Sequence, residues 1–268
     1  MPASRHSERP RHSSGEARSS AKESGAGRTP ARAAAASVCE VHWLGRVEYS
    51  EAWSLQRDLA TARAAVEIPD TLLLLEHPPV FTTGKRNSES NLRLPAEMLG
   101  APLIVSDRGG DITFHGPGQL IAYPVMDLRA ARLGVIEYVR NLEEVIIRTL
   151  RDFAIESGPQ CGLTGVWVGN EKIAAIGVLV SRPGGTSGAW VTTHGLALNV
   201  NVDLAWFGRI VPCGIADRGV TSIEKQLGQA SPVREVADLL VTHFGNVFRH
   251  EMRNAVDITL PAPRSAFV

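Results

Sequence analysis

The chain has 268 residues, with 28 lysines and arginines balanced by 28 aspartates and glutamates, so its formal net charge is zero. This length allows a sizeable hydrophobic core, and the balanced charge argues against a general nucleic-acid-binding protein, which would be basic. The cysteines, Cys39, Cys161 and Cys213, are odd in number and lack CxxC spacing, which favours a reducing cytoplasm over a disulfide framework. No apolar run approaches the roughly 20 residues of a membrane span, so we expect a soluble cytoplasmic protein.

Residues 1–37 differ in composition from the rest of the chain. They hold seven lysines and arginines against three glutamates, and none of Val, Leu, Ile, Phe, Tyr or Trp. Such a segment cannot bury enough apolar surface to offset its ordering entropy, which predicts a disordered tail. A transit peptide is the alternative, although transit peptides are poor in acidic residues. Residues 38–268 show no composition break and no repeat, which predicts a single domain.

In chain order, the spacing of apolar residues predicts strand 38–47, helix 50–66, strand 71–76, a short helix at 95–100, strands 103–107, 112–114 and 120–128, helix 135–153, strands 165–168, 172–181 and 189–202, and helix 233–248. Ser231 is a plausible N-cap for the last helix. Most strands follow one another through short turns, with helices interspersed. This order predicts an α+β fold in which helices pack on a large, partly antiparallel sheet.

Residues 108–119 (RGGDITFHGPGQ) contain four glycines, one proline, one histidine and one arginine around three apolar residues. Glycine is favoured where φ is positive or where another backbone or a ligand comes close. The segment therefore predicts a turn, a short strand and a second turn, with Arg108 and His115 at the rims. Such rims can present polar groups and open backbone N–H groups to a substrate, but a tight hairpin with polar ends would show the same pattern.

Cys213, between Pro212 and Gly214, is the candidate nucleophile. Proline fixes the backbone before it, and glycine leaves room for an acyl group and offers an N–H as an oxyanion donor. A free cysteine is also commonly a small buried hydrophobe, so both interpretations stay open. Cys39 begins a predicted strand and is expected in the core, whereas Cys161 is a rival nucleophile.

Lys172 begins the apolar run IAAIGVLV, which we expect to be buried on both faces of a sheet. Its side chain then either points into a cleft or extends from the strand end into solvent. In the segment 192–201 (TTHGLALNVN), Gly195 predicts the close approach of a ligand or of another backbone. A hydrogen-bonded edge near a bulge is the alternative there.

No metal site is expected, because the chain's candidate ligands lack the short spacing of zinc-binding pairs; these candidates are His77, His115, His194 and Cys213.

Taken together, four segments resemble the lipoyl(octanoyl) transferases in order and spacing: RGGDITFHGPGQ (108–119), GVWVGNEKIAAIGV (165–178), HGLALNVNVD (194–203) and PCG (212–214). The resemblance covers about residues 38–250. It implies the fold of the biotin/lipoate protein ligase catalytic domain, a large mixed β-sheet flanked by α-helices, over residues 38–268. This fold agrees with the α+β pattern of the predicted elements.

The resemblance also implies roles for individual residues. In that family the PCG cysteine carries the acyl group as a thioester and the lysine of the K-I-x-x-x-G strand is its partner, which assigns these roles to Cys213 and Lys172. Substrate binding is implied for three segments: Arg108, Gly109, Gly110, Asp111, Ile112, Thr113, Phe114 and His115; Ala175, Ile176 and Gly177; and Gly195, Leu196 and Ala197. Ala174 and Ala175 stand where relatives often have Cys-Ser, and Phe114 where some have Tyr.

The implied activity is an acyl transfer in lipoate biosynthesis. Endogenously made octanoic acid passes from octanoyl-acyl carrier protein to a lipoyl-domain lysine of 2-oxoacid dehydrogenases or of the glycine cleavage H protein. No cofactor, nucleic acid or membrane is implied. The alternatives are an ATP-dependent lipoate or biotin ligase on the same fold, a non-catalytic protein that binds carrier protein or lipoyl domains, and a thiol hydrolase that pairs Cys213 with His115 or His194.

Overall fold

The structure is a computed structural model and describes residues 37–86, 89–183, 188–211 and 218–255. The predicted tail up to residue 36 and the candidate nucleophile Cys213 lie outside the described residues. Within them, no helix is long and apolar enough to cross a membrane.

Twelve strands are described, with these bounds: β1 Ser37–Arg46, β2 Asp70–Glu76, β3 Val80–Thr83, β4 Leu103–Val105, β5 Thr113–His115, β6 Gln119–Val125, β7 Gly158–Gln160, β8 Leu163–Val168, β9 Glu171–Ser181, β10 Val191–Asn199, β11 Gly219–Val220 and β12 His250–Asn254. The α-helices are α1 Tyr49–Ala64, α2 Val135–Asp152, α3 Ile223–Leu227 and α4 Val233–Phe248. Three 3₁₀ helices are described as well: Glu89–Asn91, Ala96–Met98 and Leu204–Arg209.

Nine of the described strands form one mixed sheet in the order β12-β1-β2-β6-β10-β9-β8-β7, with β11 beside β9. The β1 pairs with β12 and β2 are parallel, as is the β9–β11 pair, while the remaining pairs of this sheet are antiparallel. A parallel neighbour requires a crossover, and α1 supplies it between β1 and β2. The mixed sheet with flanking helices confirms the predicted fold class.

The sheet is buried on both faces because its central strands carry apolar residues at consecutive positions. Along β2, Leu72 and Leu74 belong to the main core with residues of α2 and α4, whereas Leu73 and Leu75 pack with residues of α1. Successive side chains of a strand point to opposite faces, so the run of four leucines fills two cores at once.

A second, three-stranded sheet, β4-β3-β5, has its own small core. This core joins the small sheet to the 3₁₀ helix Leu204–Arg209, and its buried residues include Phe81, Ile112, Phe114, Val202 and Phe207. This small sheet positions the glycine-rich segment, since β5 lies inside it.

Several local predictions were wrong. Ser231 does not cap α4: Pro232 is the N-cap residue and no side chain caps this helix. The predicted helix at 95–100 is a single 3₁₀ turn, Ala96–Met98. The run 173–180 is fully buried only as far as Ala174, because β8 pairs with β9 no further than that residue.

Candidate active site

A central pocket lies between the glycine-rich segment, strands β9 and β10, and the start of α1. Three segments that are distant in sequence meet there, and all three were predicted as substrate-binding. The predicted residues that line the central pocket are Arg108, Gly110, Asp111, Thr113, His115, Ala175, Ile176, Gly177, Gly195, Leu196 and Ala197. Tyr49, Tyr123 and His194 complete the wall.

Alternation along β5 divides the glycine-rich segment between two environments. Thr113 and His115 face the central pocket, whereas Ile112 and Phe114 pack in the small core. The Phe114 ring stacks on Trp206 with a centroid distance of 4.9 Å. The structure therefore does not bring Ile112 or Phe114 to the pocket wall, because neighbouring positions of a strand point to opposite faces.

Arg108 is buried, with 7% of its surface exposed. Its Nη2 donates to the carbonyl and the hydroxyl of Thr82 at 2.6 and 2.9 Å, and its Nη1 donates to the Gly109 carbonyl at 3.1 Å. Five fixed donors make arginine suited to holding several acceptors at once. Here those acceptors belong to the protein, so Arg108 ties the pocket rim to β3.

The rim of the central pocket is held by a close backbone approach at Gly177. A Cβ on Gly177 would lie 2.7 Å from the Gly109 carbonyl oxygen, so only glycine fits. The Gly109 N–H donates to the Val178 carbonyl at 3.0 Å, and the Gly118 N–H donates to Glu76 at 2.6 Å. The expectation of open backbone N–H groups is therefore wrong at these two glycines, since both bind within the protein.

His115 is buried and hydrogen-bonded at both ring nitrogens. Its Nδ1 lies 2.8 Å from Gln119 Oε1 and its Nε2 lies 3.2 Å from Thr82 Oγ1. Burial, with the neighbouring His77 and Arg108, holds the pKa of His115 well below its ordinary value of 6.5. His115 is therefore a neutral group with no free nitrogen to activate a thiol, which argues against a hydrolase that uses it as a base.

His194 occupies an unusual position in β10. Its φ is 57°, a left-handed value that is rare for a residue other than glycine. Its Nε2 bonds Asp107 at 2.7 Å, its N–H donates to Gln56 Oε1 at 2.5 Å, and its buried Nδ1 has no hydrogen-bond partner among the described residues. Strained residues of this kind cluster at functional sites.

The next residue, Gly195, confirms the prediction of a close approach. A Cβ there would lie 2.1 Å from the Ala122 carbonyl oxygen of β6. The neighbour is a backbone, so the glycine lets β10 come close to β6, with which it pairs from Leu196 onward.

The sequence analysis missed two lining residues of the central pocket, Tyr49 and Tyr123. The Tyr49 ring stacks on His115 at 6.0 Å and on His194 at 6.5 Å between centroids. The Tyr123 hydroxyl bonds His77 at 2.8 Å. A tyrosine inside the otherwise apolar strand LIAYPV was a signal for Tyr123, because a buried phenol needs a partner.

Lys172 lines a neighbouring cleft, which we call the lysine cleft; the central pocket and this cleft share Gly110, Asp111, Ile176 and Gly177. The lysine is only 8% exposed, and its Nζ lies 4.8 Å from the centroid of the Trp167 ring. The structure thus places it in a cleft, as one of the two interpretations expected, and not extended into solvent. Gly109 lines the lysine cleft as well.

The described cysteines have contrasting environments. Cys39 is fully buried in the main core, as expected, and burial raises the pKa of its thiol far above the ordinary value. Cys161 is exposed in the turn between β7 and β8. Among the described residues, no group of three or more His, Cys, Asp or Glu side chains could hold a metal ion.

The sequence matches the family described as the lipoyl protein ligase A/B catalytic domain over residues 48–245. It is 50% identical over 218 residues to an octanoyltransferase of Chloroflexus aurantiacus, covering 80% of this chain and 95% of the relative. It is 47% identical over 230 residues to an octanoyltransferase of Koribacter versatilis, covering 82% and 89%. A third octanoyltransferase, from Rubrobacter xylanophilus, is 49% identical over 207 residues, with 76% and 90% covered.

Solved structures share the fold at low identity. A lipoate-protein ligase A bound with ATP superimposes with a TM-score of 0.61 at 15% identity, covering 82% of this chain and 88% of that chain. The bipartite lipoate protein ligase of Thermoplasma acidophilum gives 0.60 at 15% identity, covering 82% and 86%. At this identity the likeness shows the fold alone.

Proposed function

Because the chain belongs to the lipoyl protein ligase A/B catalytic-domain family, among its octanoyltransferases, we propose that it works by two successive acyl transfers. An octanoyl group passes from octanoyl-acyl carrier protein to the Cys213 thiol. It then passes to a lysine of a lipoyl domain, in a 2-oxoacid dehydrogenase or in the glycine cleavage H protein. The absence of CxxC spacing and the odd number of cysteines support a cytoplasmic place for this acyltransferase.

The observation that carries this proposal is the meeting of three distant segments around one pocket. Ile176, Leu196 and Ala197 give it apolar walls, while Arg108 and Thr113 lie at its polar side. Binding sites of this kind combine apolar lining with a few polar groups. At about 0.8 kcal/mol per buried CH₂, an octanoyl chain gains several kcal/mol by entering it.

In the first step the Cys213 thiolate attacks the carbonyl carbon of the donor thioester. A new C–S bond forms, the bond to the pantetheine sulfur breaks, and the departing thiolate takes a proton from the Lys172 ammonium. One thioester replaces another, so the step is close to thermoneutral and needs no nucleotide.

In the second step the neutral amine of the acceptor lysine attacks the Cys213 thioester. A C–N bond forms, the C–S bond breaks, and the amine proton passes to Lys172, which is neutral after the first step. This restores the ammonium and the thiolate. Proton transfer by a positioned side chain contributes about 10²–10⁴-fold to rate.

Lys172 also favours the thiolate in the resting enzyme, because a nearby positive charge stabilises a negative one. An ordinary thiol with a pKa of about 8.5 is only a few per cent ionised at pH 7. Lowering that pKa by about two units corresponds to roughly 2.7 kcal/mol. Intrinsic nucleophilicity falls with the pKa, so the larger benefit comes in the second step, where a weakly basic thiolate leaves more readily.

The test is intact-mass spectrometry of the protein mixed with octanoyl-acyl carrier protein in the absence of ATP. We expect one octanoyl group on the wild type and on Cys161→Ser, the matched control, and none on Cys213→Ser. An octanoyl adduct that survives Cys213→Ser would remove Cys213 as the acyl carrier. Transfer to a lipoyl domain that occurs only with ATP would instead favour a ligase.

A further inference from the structure

The buried polar side chains behind the central pocket form a continuous chain of hydrogen bonds. At its first end, Arg108 Nε and Nη2 donate to Thr82 Oγ1 at 3.2 and 2.9 Å. Thr82 Oγ1 lies 3.2 Å from His115 Nε2, and His115 Nδ1 lies 2.8 Å from Gln119 Oε1. The glycine-rich segment thus bonds to itself through β3, from its first residue to its last.

The chain continues from Gln119 toward the lysine cleft. Gln119 Nε2 donates to Asn199 Oδ1 at 2.8 Å, and Asn199 Nδ2 donates to the Thr221 carbonyl at 2.9 Å. The Thr221 N–H in turn donates to the Lys172 carbonyl at 3.0 Å. Thr221 follows β11, so this end of the chain of hydrogen bonds reaches the strand of the lysine; in the sequence, Thr221 stands eight residues after Cys213.

The proton positions along the chain follow from its first link. Thr82 Oγ1 accepts from both Arg108 Nε and Arg108 Nη2, which uses its two lone pairs. The hydroxyl hydrogen therefore donates to His115 Nε2. The His115 hydrogen is then on Nδ1 and donates to Gln119 Oε1, which leaves the Gln119 amide to donate onward. The opposite tautomer would set the Nδ1 lone pair against the Gln119 oxygen. Every donor therefore points from Arg108 toward Thr221, and bonds aligned in this way strengthen one another.

Burial makes this arrangement costly unless it is complete. Thr82, His115, Gln119, Asn199 and Thr221 are all buried. A buried polar group without a partner destabilises a fold, whereas apolar residues could fill the same space without that cost. A complete and directional network fixes one arrangement of its members. A catalytic site whose residues come from distant segments of the chain needs one fixed arrangement of this kind.

We propose that this chain of hydrogen bonds positions Lys172 relative to the pocket rim at Arg108, with Thr82, His115, Gln119 and Asn199 as positioning residues. The inference rests on the proposed function, since it concerns the same acyl transfer. In this role His115 is a neutral residue that links Thr82 to Gln119 by hydrogen bonds, and it carries no proton to or from the substrate. The low pKa of His115 is consistent with that duty.

The test breaks the chain at two distant links, singly and together. Thr82→Val keeps the side-chain shape and removes the hydroxyl, and Asn199→Leu removes the far amide. Each should lower kcat by at least tenfold, because Lys172 moves relative to the pocket rim at Arg108. The KM for the octanoyl donor should stay within about twofold, because the apolar walls that bind the acyl chain remain. Thr82→Ser should restore kcat.

The decisive measurement is the double variant. Mutations at distant, independent sites multiply in their effects on rate, whereas members of one unit do not. We expect Thr82→Val/Asn199→Leu to be no more than about threefold slower than either single variant. Thr82→Val combined with Asn201→Leu is the matched control, since Asn201 bonds Ser231 outside the chain and its effect should multiply.

Asn199→Leu should also raise the pH at which iodoacetamide alkylates Cys213 at half its maximal rate. If Asn199→Leu fails to fold, Gln119→Met takes its place. Multiplicative effects in the double variant, or a wild-type kcat for Thr82→Val, would overturn the inference while leaving acylation of Cys213 intact. Loss of acylation in the wild type would contradict the proposed function instead.

Discussion

His194 Nε2 and Asp107 Oδ1 lie 2.7 Å apart and join strand β10 to the segment that carries Arg108. The two residues are far apart in sequence, and of the two only His194 lines the central pocket. The imidazole is 1% exposed and the carboxylate is 40% exposed, so the pair spans from the pocket wall to solvent.

The pair should contribute stability that depends on pH. Burial raises the pKa of Asp107, but the hydrogen bond and the charge of His194, with a backbone hydrogen bond and the charge of Arg57, together outweigh it, so the pKa lies below its ordinary value of 3.8. A depressed carboxyl pKa adds stability above that ordinary value, which is lost as the pH falls through the folded pKa. Solvent screening limits the contribution to about 1 kcal/mol.

Asp107→Asn should therefore be less stable than the wild type at pH 7, and the difference should shrink below about pH 4. Urea unfolding at both pH values measures it. A stability difference between the two proteins that is the same at pH 7 and at pH 3 would show that the carboxylate charge is not involved.

Lys172→Met should slow octanoyl transfer by roughly 100-fold, the usual loss for a general acid and base. The substitution keeps the buried stem and removes the ammonium, so the pH of half-maximal Cys213 alkylation should rise. Rapid-quench transfer assays and iodoacetamide labelling measure the two effects. Lys225→Met is the control, because the exposed Lys225 amine bonds Glu171, the first residue of the same strand β9. An equal effect of both variants would contradict the assignment of Lys172.

Gly177→Ala should disturb the rim where β9 meets the glycine-rich segment. Its Cβ would lie 2.7 Å from the Gly109 oxygen, so one backbone must move, at a cost of about 1–3 kcal/mol. We expect a lower free energy of unfolding and a raised KM for the octanoyl donor. Gly158→Ala adds the same methyl group where nothing lies within 4 Å, and it should leave both quantities unchanged.

His77 should make stability fall in mild acid. Burial lowers its pKa from 6.5 to about 4 in the folded protein. The unfolded chain then binds a proton first, so stability declines from about pH 6.5 to about pH 4, by roughly 3 kcal/mol, and then levels off.

The free energy of unfolding of the wild type and of His77→Gln, measured across this range, tests the expectation. Glutamine does not titrate, so its curve should be flatter by that amount. Parallel curves for the two proteins would assign the acid sensitivity to another group.

The structure brings the three predicted segments together around one pocket and adds lining residues that the sequence did not indicate. Glycine spacing and a charged residue in apolar surroundings are local features, so residues 108–119, Lys172 and Gly195 could be singled out from the sequence, whereas 175–177 and 196–197 were implied by the family resemblance. Tyr49 could not, because it begins a helix whose apolar pattern is that of ordinary core. The short strands β3, β7, β11 and β12 were also missed, since each is too short or too polar to show a clear period.

The sequence by itself determined the fold class, the family resemblance and the segments that form the pocket, because apolar periodicity and motif spacing are local properties of the chain. The tertiary structure decided which side chains face the pocket. Alternation in β5 sends Ile112 and Phe114 to the small core and keeps Thr113 and His115 at the wall. It also decided that polar residues from 82 to 221 join in one chain of hydrogen bonds, since such bonds depend on distances between strands that no local pattern records.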